Sequence, residues 1–271
     1  MTGSLTQLSQ SSLQDYIDCP RRFQLRFIDR LNYPAEESEP ALEYERHLRE
    51  GEEFHRMVHR HLIGLMPEQL EKHAESETMR RWWENYVSGT GLETIRKAQS
   101  LYPENQLSVP IESIRLVAKY DLISLDRDGR FIIFDWKTYR KRPRNELMAT
   151  RLQTRVYRAL LTKAGAYLQG GQPIKTDQIE MVYWYANFPS DPAHFPYSES
   201  QFERDWSYLV GLVREIIAAV NFPLTNDQSR CSFCPYRSLC NRGVKAGNVD
   251  ELEKELDLAD ISLENTEEIE F

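Results

Sequence analysis

Residues 120–137 constrain the fold most, because they predict a β-hairpin with a carboxylate in each strand. The sequence reads YDLISLDRDGRFIIFDWK. Two apolar runs flank residues 127–129 (Arg-Asp-Gly), which suit a three-residue loop with glycine in the left-handed conformation. Such a loop centres the hairpin on residue 128 and places Asp121 opposite Asp135 on one face, whereas a two-residue turn would place them on opposite faces. Lys137 lies two residues beyond Asp135 and shares its face.

The same hairpin predicts a cation site. A single aspartate in a strand usually marks a solvated face or an edge. Asp135, however, follows the apolar run FIIF, and an isolated carboxylate buried there would cost several kcal/mol, on the order of the desolvation of a polar group. Two carboxylates and an ammonium on one patch suit a divalent cation with a phosphate. We therefore take Asp121, Asp135 and Lys137 as candidate catalytic residues.

The charge of the chain is unevenly distributed. The net charge is −8, but residues 248–271 contain ten acidic side chains and one basic one, which leaves about +1 for the remaining residues. An acidic tail of this kind is typically a solvated helix with disorder. No apolar run approaches the roughly 20 residues that span a bilayer, and the polar N-terminus lacks a signal sequence. We expect a cytoplasmic protein with no membrane partner.

A basic segment follows directly after the carboxylates. Between residues 137 and 158, Glu146 is the only acid. The basic residues are Lys137, Arg140, Lys141, Arg142, Arg144, Arg151, Arg155 and Arg158. The plain interpretation is a basic helix face, but its position beside the carboxylates favours a polyanion such as nucleic acid.

Four cysteines predict a metal centre that joins the two ends of the chain. Cys231, Cys234 and Cys240 are separated by two and five residues, and Cys19 lies near the N-terminus. A two-residue spacing brings two thiolates within reach of one metal. A four-thiolate zinc site and a 4Fe–4S cluster both fit, and spacing does not choose between them. The alternative is four buried, inert thiols.

The order of predicted elements indicates one mixed α/β domain. It spans residues 1–247 and precedes the acidic tail. We predict a helical N-terminal lobe at 9–100, a core at 101–220 and a cysteine-bearing cap at 221–243. The core is predicted as three strands at 107–114, 116–125 and 130–137, a helix at 145–168, a strand at 178–187 and a helix at 198–220.

Two helices contribute further candidates. His55 and His59 are four residues apart on a helix predicted at 41–65, and an imidazole is a good ligand for a transition metal or Mn²⁺. Gln153 and Tyr157 are also four apart, and could contact a phosphate or a base. Taken alone, Gln153 and Tyr157 fit a half-buried helix face equally well.

Together these residues resemble a known family. Over residues 9–243 the chain is similar to RecB-family nucleases of the PD-(D/E)XK superfamily, in particular the iron–sulfur branch that includes CRISPR-associated RecB-like exonucleases and the AddB nuclease domain. The segments that carry the resemblance occur in family order: SSLQDYIDCPRRF, GEEFH, YDLI, DWK, QTRVY and CSFCPYRSLC.

The resemblance implies a restriction-endonuclease-like fold and Mg²⁺- or Mn²⁺-dependent hydrolysis of DNA. His55, Asp121 and Asp135 would hold the metal with the carbonyl of Trp136. Lys137 would orient the attacking water. The family also implies DNA-binding residues, Gln153 and Tyr157, to which the basic segment adds Arg140, Arg151 and Arg155. A 4Fe–4S cluster would be held by Cys19, Cys231, Cys234 and Cys240. Tyr120 departs from the family because it replaces the proline that names the superfamily.

Three functions remain open at this point. The first is a DNA exonuclease acting on single strands or ends, working with a helicase or CRISPR adaptation proteins because the chain has no P-loop motif. The second is a non-cutting module that recognises DNA ends. The third is a four-cysteine zinc protein that acts as an adaptor in a larger nuclease assembly.

Overall fold

The computed structural model describes residues 5–31, 39–89, 92, 95–232 and 234–243, without the side chains of residues 39–45. The chain divides into two compact units. The first comprises Met1–Leu48, Pro110–Leu116 and Leu209–Phe271, and the second comprises Arg49–Val109 and Val117–Tyr208. The domain boundaries predicted from the sequence stay predictions, and the acidic tail lies outside the described residues.

The fold is mixed α/β, as the sequence predicts. The elements in chain order are β1 (Gln7–Ser9), α1 (Gln10–Asp18), α2 (Pro20–Phe23), α3 (Glu39–Leu62), α4 (Pro67–Leu70), α5 (Glu77–Ser88), β2 (Ser100–Ile111), β3 (Ile114–Leu125), β4 (Phe131–Lys137), α6 (Asn145–Thr150), α7 (Leu152–Ala164), β5 (Ile179–Tyr185), β6 (Ala193–Pro196) and α8 (Glu199–Ala218). A π-helical segment, Gln24–Ile28, extends α2. Across the described residues the six strands form one sheet in the order β1-β3-β4-β5-β6, and β2 pairs with β3.

The β3–β4 hairpin has the predicted register. Its pairs run from Leu122 opposite Phe134 to Leu125 opposite Phe131, which centres the hairpin on residue 128. Gly129 has a φ of 78°, in the left-handed region that favours glycine. The three-residue loop is therefore confirmed. Its register places Asp121 opposite Asp135, on the same face of the sheet.

β5 lies parallel to β4 on its other side. Asp135 is opposite Tyr183 and Lys137 is opposite Tyr185 in this register. Parallel neighbours need a crossover connection, and here the chain between the two strands contains α6 and α7. Every β5 residue except Glu180 is buried, as expected for a central strand covered on both faces.

An aromatic core packs on the sheet face opposite the acids. Trp136 projects to this face because it alternates with Asp135 and Lys137 along β4. Its ring lies 5.6 Å from Tyr86 of α5 and 5.9 Å from Trp184 of β5. The same cluster contains buried side chains of α3 and α5. Because these large rings bury much apolar area, they fix β4 and β5 against the helices.

Several predicted element boundaries are wrong. The predicted helix at 145–168 is interrupted at Arg151, whose ψ of 146° is extended, and α7 ends at residue 164. The predicted helix at 41–65 begins earlier, at Glu39. The predicted strand at 107–114 begins at Ser100, where Pro103 and a positive φ at Glu104 disturb the apolar alternation. β1 and β6 have three and four residues, too few to give a readable pattern.

Candidate active site

Asp135, Lys137 and Gln153 form a closed triangle of two hydrogen bonds and one ion pair in the second unit. Nζ of Lys137 lies 2.9 Å from Oδ2 of Asp135 and donates to Oε1 of Gln153 at 2.9 Å. Nε2 of Gln153 donates to Oδ1 of Asp135 at 2.6 Å. The exposed fraction is 2% for Asp135 and 9% for Lys137. Because each group bonds both others, neither charged side chain can rotate independently.

Asp121 is fixed beside this triangle by the neighbouring strand and a helix. Its Oδ2 accepts the backbone N–H of Trp136 at 2.9 Å. The same oxygen lies 3.3 Å from Nδ1 of His55, on α3. Nε2 of His55 is buried, and no described residue gives it a hydrogen bond. His55, one of the two histidines considered as candidate metal ligands, thus contacts Asp121.

The electrostatics separate the two carboxylates. Burial raises the pKa of Asp135 to about 7, because the charge of Asp121 adds to desolvation and Lys137 only partly offsets both. Burial also acts against ionisation of Asp121, but His55 and the Trp136 N–H outweigh it and lower its pKa. For His55, burial lowers the pKa, yet the Asp121 carboxylate outweighs burial and raises it. A cation beside Asp135 would relieve this crowding of negative charge.

Tyrosines on β5 support the site, although they were not among the site residues predicted from the sequence. The hydroxyl of Tyr183 lies 2.8 Å from Oγ1 of Thr154 and 3.4 Å from Oε1 of Gln153. Nζ of Lys137 lies 5.4 Å from the centroid of the Tyr183 ring. The alternation of VYWY in β5 was a usable signal for one face. It lacked a register, because no short turn links parallel strands.

The predicted DNA-binding pair lies inside the protein rather than at its surface. Gln153 is 4% exposed and Tyr157 is 2% exposed. The ring of Tyr157 lies 4.7 Å from that of Tyr120, whose hydroxyl donates to the carbonyl of Tyr157 at 2.8 Å. Gln153 therefore acts on the site through Asp135 and Lys137. Tyr157 is buried against the strand residue that precedes Asp121.

The basic segment divides into internal and exposed parts. Arg151 is buried and donates to the hydroxyl of Tyr139 at 2.7 Å. Arg155 lies 3.6 Å from Asp205 and 4.9 Å from the centroid of the Tyr208 ring. Arg140 is exposed. The predicted role of these arginines in DNA binding stays a prediction.

The candidate metal ligands have atoms that form no hydrogen bond within the described part of the chain, but the ligands are not grouped around one metal position. Within the described residues, no three His, Cys, Asp or Glu side chains are arranged to hold a metal ion. Nevertheless, Nε2 of His55 is buried and receives no hydrogen bond from the described residues, and Oδ2 of Asp135 has the ion pair with Lys137 but no hydrogen bond among them. One imidazole with two carboxylates suits Mg²⁺ or Mn²⁺. The donors therefore fit such an ion chemically, although they are not drawn together at ligand distances.

All four cysteines lie in the first unit as free thiols. Burial raises the pKa of Cys234 to about 11 and also raises the pKa values of Cys231 and Cys240. The charge of Cys19 contributes to each of these three shifts, so the thiols influence one another.

An ion pair and a backbone hydrogen bond join the N-terminal helices to the cysteine-bearing segment within this unit. Nη1 of Arg230 lies 2.8 Å from Oδ1 of Asp18, and Arg22 lies 2.8 Å from Oδ2 of the same residue. The backbone N–H of Arg21 donates to the carbonyl of Pro223 at 3.1 Å. The predicted joining of the two chain ends therefore has a polar component that involves no metal. Metal binding by the thiols, and the identity of that metal, stay predictions.

The fold and the site define a class of protein. A mixed sheet that presents two carboxylates and a lysine from adjacent strands has the groups needed for metal-assisted phosphodiester hydrolysis. The chain belongs to the PD-(D/E)XK nuclease superfamily, whose family model matches residues 7–241. No curated protein matches the sequence significantly.

Among the solved structures that resemble the chain are the following two. One is described as "Putative exonuclease" from Eubacterium rectale, with 10% sequence identity and a TM-score of 0.51 over 88% of this chain and 89% of that one. The other is SSO0001, with 12% identity and a TM-score of 0.41 over 90% of each chain. Because its sequence identity is so low, the similarity to the Eubacterium rectale structure shows a shared fold alone. In the part of the chain that the structure describes, no helix has both the length and the apolar character to cross a membrane.

Proposed function

We propose that this protein is a metal-dependent deoxyribonuclease, acting as an exonuclease on single-stranded DNA or DNA ends. The observation that carries the proposal is the triangle of Asp135, Lys137 and Gln153, joined by two hydrogen bonds and an ion pair, with Asp121 and His55 beside it. Burying a carboxylate and an ammonium next to a second, partly buried carboxylate is costly without a functional partner. A module that only recognised DNA would not need this arrangement.

The residues would divide the chemistry as follows. His55, Asp121 and Asp135 would hold Mg²⁺ or Mn²⁺, which supplies Lewis-acid stabilisation of the phosphate when bound. Lys137 would direct a proton of its ammonium at the attacking water or at a phosphate oxygen. Gln153 fixes the position of Lys137 and the orientation of Asp135. It is a positioning residue because its own polar atoms bond these side chains.

Exonuclease specificity and single-strand preference are the finer part of the proposal. The name given to the structural neighbour from Eubacterium rectale supports exonuclease action. The basic segment, with Arg140 exposed, Arg151 at the N-cap of α7 and Arg155 within α7, supports a polyanionic substrate. A helicase would be the natural partner for DNA duplexes, because the chain lacks a P-loop motif.

The cysteines support a place in the RecB-like iron–sulfur branch, with members in CRISPR adaptation and DNA repair. Cys19, Cys231, Cys234 and Cys240 would hold a 4Fe–4S cluster, with zinc as the alternative. Four free cysteines in one unit suit either metal centre. The metal centre would have a structural role. A cytoplasmic location fits the reduced cysteines.

The test is cleavage of end-labelled single-stranded DNA by protein purified without oxygen. Reactions contain Mn²⁺, Mg²⁺ or EDTA, and use wild-type protein, Asp135→Ala and Lys137→Ala. We expect shortening of the DNA from one end that needs a divalent cation and is lost in both variants. Binding without cutting by folded wild-type protein under every metal condition would overturn the proposal in favour of a recognition module.

A further inference from the structure

A group of aromatic and basic side chains continues the active site beyond Lys137. The guanidinium carbon of Arg142 lies 4.4 Å from the centroid of the Tyr185 ring. That of Arg151 lies 5.6 Å from the centroid of the Tyr139 ring, and the two tyrosine rings are 6.3 Å apart. Nζ of Lys137 lies 5.9 Å from the centroid of Tyr139. These four residues, which we call the Tyr139–Tyr185 group, therefore adjoin the lysine of the site.

The hydroxyl of Tyr185 is a buried polar group that the fold does not use. The residue is fully buried opposite Lys137 on β5, and no described residue bonds its hydroxyl. Burial raises the pKa of this hydroxyl, which therefore remains a neutral donor. A buried hydroxyl without a partner is costly and rare in native proteins. An acceptor supplied by a ligand would account for it.

Arg142 is fixed by three hydrogen bonds, whereas the side chain of its acid partner, Asp191, is exposed. Its guanidinium donates to the backbone carbonyls of Asp191 and Pro143 and to Oδ1 of Asn145. Its side chain is 15% exposed, whereas the carboxylate of Asp191, 3.3 Å away, belongs to a side chain that is 69% exposed. Because exposed ion pairs are weak, a stronger anion can displace this carboxylate at little cost.

We infer that Tyr139, Arg142, Arg151 and Tyr185 form a subsite for one backbone phosphate of single-stranded DNA, next to the phosphate that reacts beside Lys137. The phosphate displaces the Asp191 carboxylate from Arg142, and the hydroxyl of Tyr185 donates a hydrogen bond to the phosphate. The half-buried ring of Tyr139 offers a surface for the adjoining base. This inference rests on the proposed nuclease function and adds the position of a second substrate group.

Binding of a fluorescent single-stranded oligonucleotide in EDTA tests the subsite separately from cleavage. We expect Arg142→Gln to weaken binding about tenfold, as for loss of a charge-assisted phosphate contact. Tyr185→Phe should weaken it about threefold without lowering the melting temperature, because the hydroxyl has no partner to lose. Asp191→Asn should tighten binding about threefold, since a competing carboxylate is removed. Arg214→Gln, at an exposed pair with Glu112, is the matched control.

A substrate scan locates the phosphate. Single linkages are replaced in turn by neutral methylphosphonates, and each oligonucleotide is bound to wild-type protein and to Arg142→Gln. We expect one linkage whose neutralisation weakens wild-type binding but has no further effect on the variant. Equal losses in both proteins at every linkage, or wild-type affinity in both Arg142→Gln and Tyr185→Phe, would overturn the subsite even if wild-type protein cuts DNA. Protein that neither binds nor cuts would instead overturn the proposed function, and the subsite with it.

Discussion

The acid–lysine site and the cysteine group are built in different ways. In the acid–lysine site, Asp135, Lys137 and Gln153 orient one another through contacts of 2.6–2.9 Å. Around the cysteines, Cys234 and Cys240 pack with Leu25 and Tyr236, and neighbouring side chains form ion pairs such as that of Asp18 with Arg230. The first site is therefore ordered by its own functional groups, whereas the thiols depend on surrounding structure. We expect changes in the first to remove activity and changes in the second to remove stability.

Loss of a metal-holding carboxylate should have the largest effect. We expect Asp121→Asn to lower kcat about a thousandfold, a loss of roughly 4 kcal/mol of transition-state stabilisation. The amide still accepts the Trp136 N–H, so the fold should be retained. Initial rates with Mn²⁺ and a thermal melt measure both quantities. Asp128→Asn, in the exposed loop of the same hairpin, should match wild-type protein. A variant with unaltered kcat would remove Asp121 from the chemistry.

The cysteine group should give the opposite result. We expect Cys234→Ala to lose bound metal, its brown colour if the metal is iron, and much of its thermal stability. Structural metal centres contribute apparent binding free energies on the order of 10 kcal/mol. Metal content, visible absorption and melting temperature measure the effect, with Ser238→Ala on the same segment as control. Full metal content in the cysteine variant, or wild-type protein free of iron and zinc, would contradict the predicted centre.

The raised pKa of Asp135 predicts a pH dependence of stability. The folded pKa is about 7, above the ordinary value of about 3.9, so between these values the folded state binds more protons than the unfolded state. Metal-free protein should therefore lose stability as the pH rises from about 4 to about 7, by an amount on the order of a few kcal/mol. Added Mn²⁺ should restore it most at the upper end, because the ion takes over from the proton.

The comparison for this prediction is Asp135→Asn. Urea unfolding of both metal-free proteins across the pH range isolates the contribution of this carboxyl, because other titrating groups are shared. The difference in free energy of unfolding between the two proteins should change with pH in the stated direction. A difference that is constant with pH would show that Asp135 titrates at its ordinary value.

The sequence predicted the part of the site that depends on local chain geometry. A three-residue loop sets the pairing of β3 with β4, and alternation then places Asp121, Asp135 and Lys137 on one face. Periodicity likewise placed Gln153 on a helix. These relations depend on a few consecutive residues, so they can be read without knowing the rest of the fold.

Contacts between distant segments could not be predicted in the same way. Tyr183 and Tyr185 reach the site through the parallel pairing of β5 with β4, whose register no local turn specifies. The break of the predicted helix at Arg151 also depends on tertiary contacts, since that arginine bonds Tyr139. Gln153 was expected to contact DNA, yet its burial between Asp135 and Lys137 appears only when α7 is packed on β4.

Tyr120 offers the smallest and most discriminating change, because it tests how far the scaffold beneath the acids matters. Its hydroxyl donates to the carbonyl of Tyr157 at 2.8 Å. Tyr120→Phe should lower the free energy of unfolding by about 1 kcal/mol, measured by urea unfolding. It should leave kcat within about twofold, because the ring contact with Tyr157 is kept and Asp121 is still held by the Trp136 N–H. Tyr102→Phe, which removes a comparable bond to the carbonyl of Leu168, is the control. A fall in kcat much larger in Tyr120→Phe than in the control would show that this hydrogen bond positions Asp121. In that case, a change that lowers stability in β3 would also lower activity, and the two effects would not be separate at this strand.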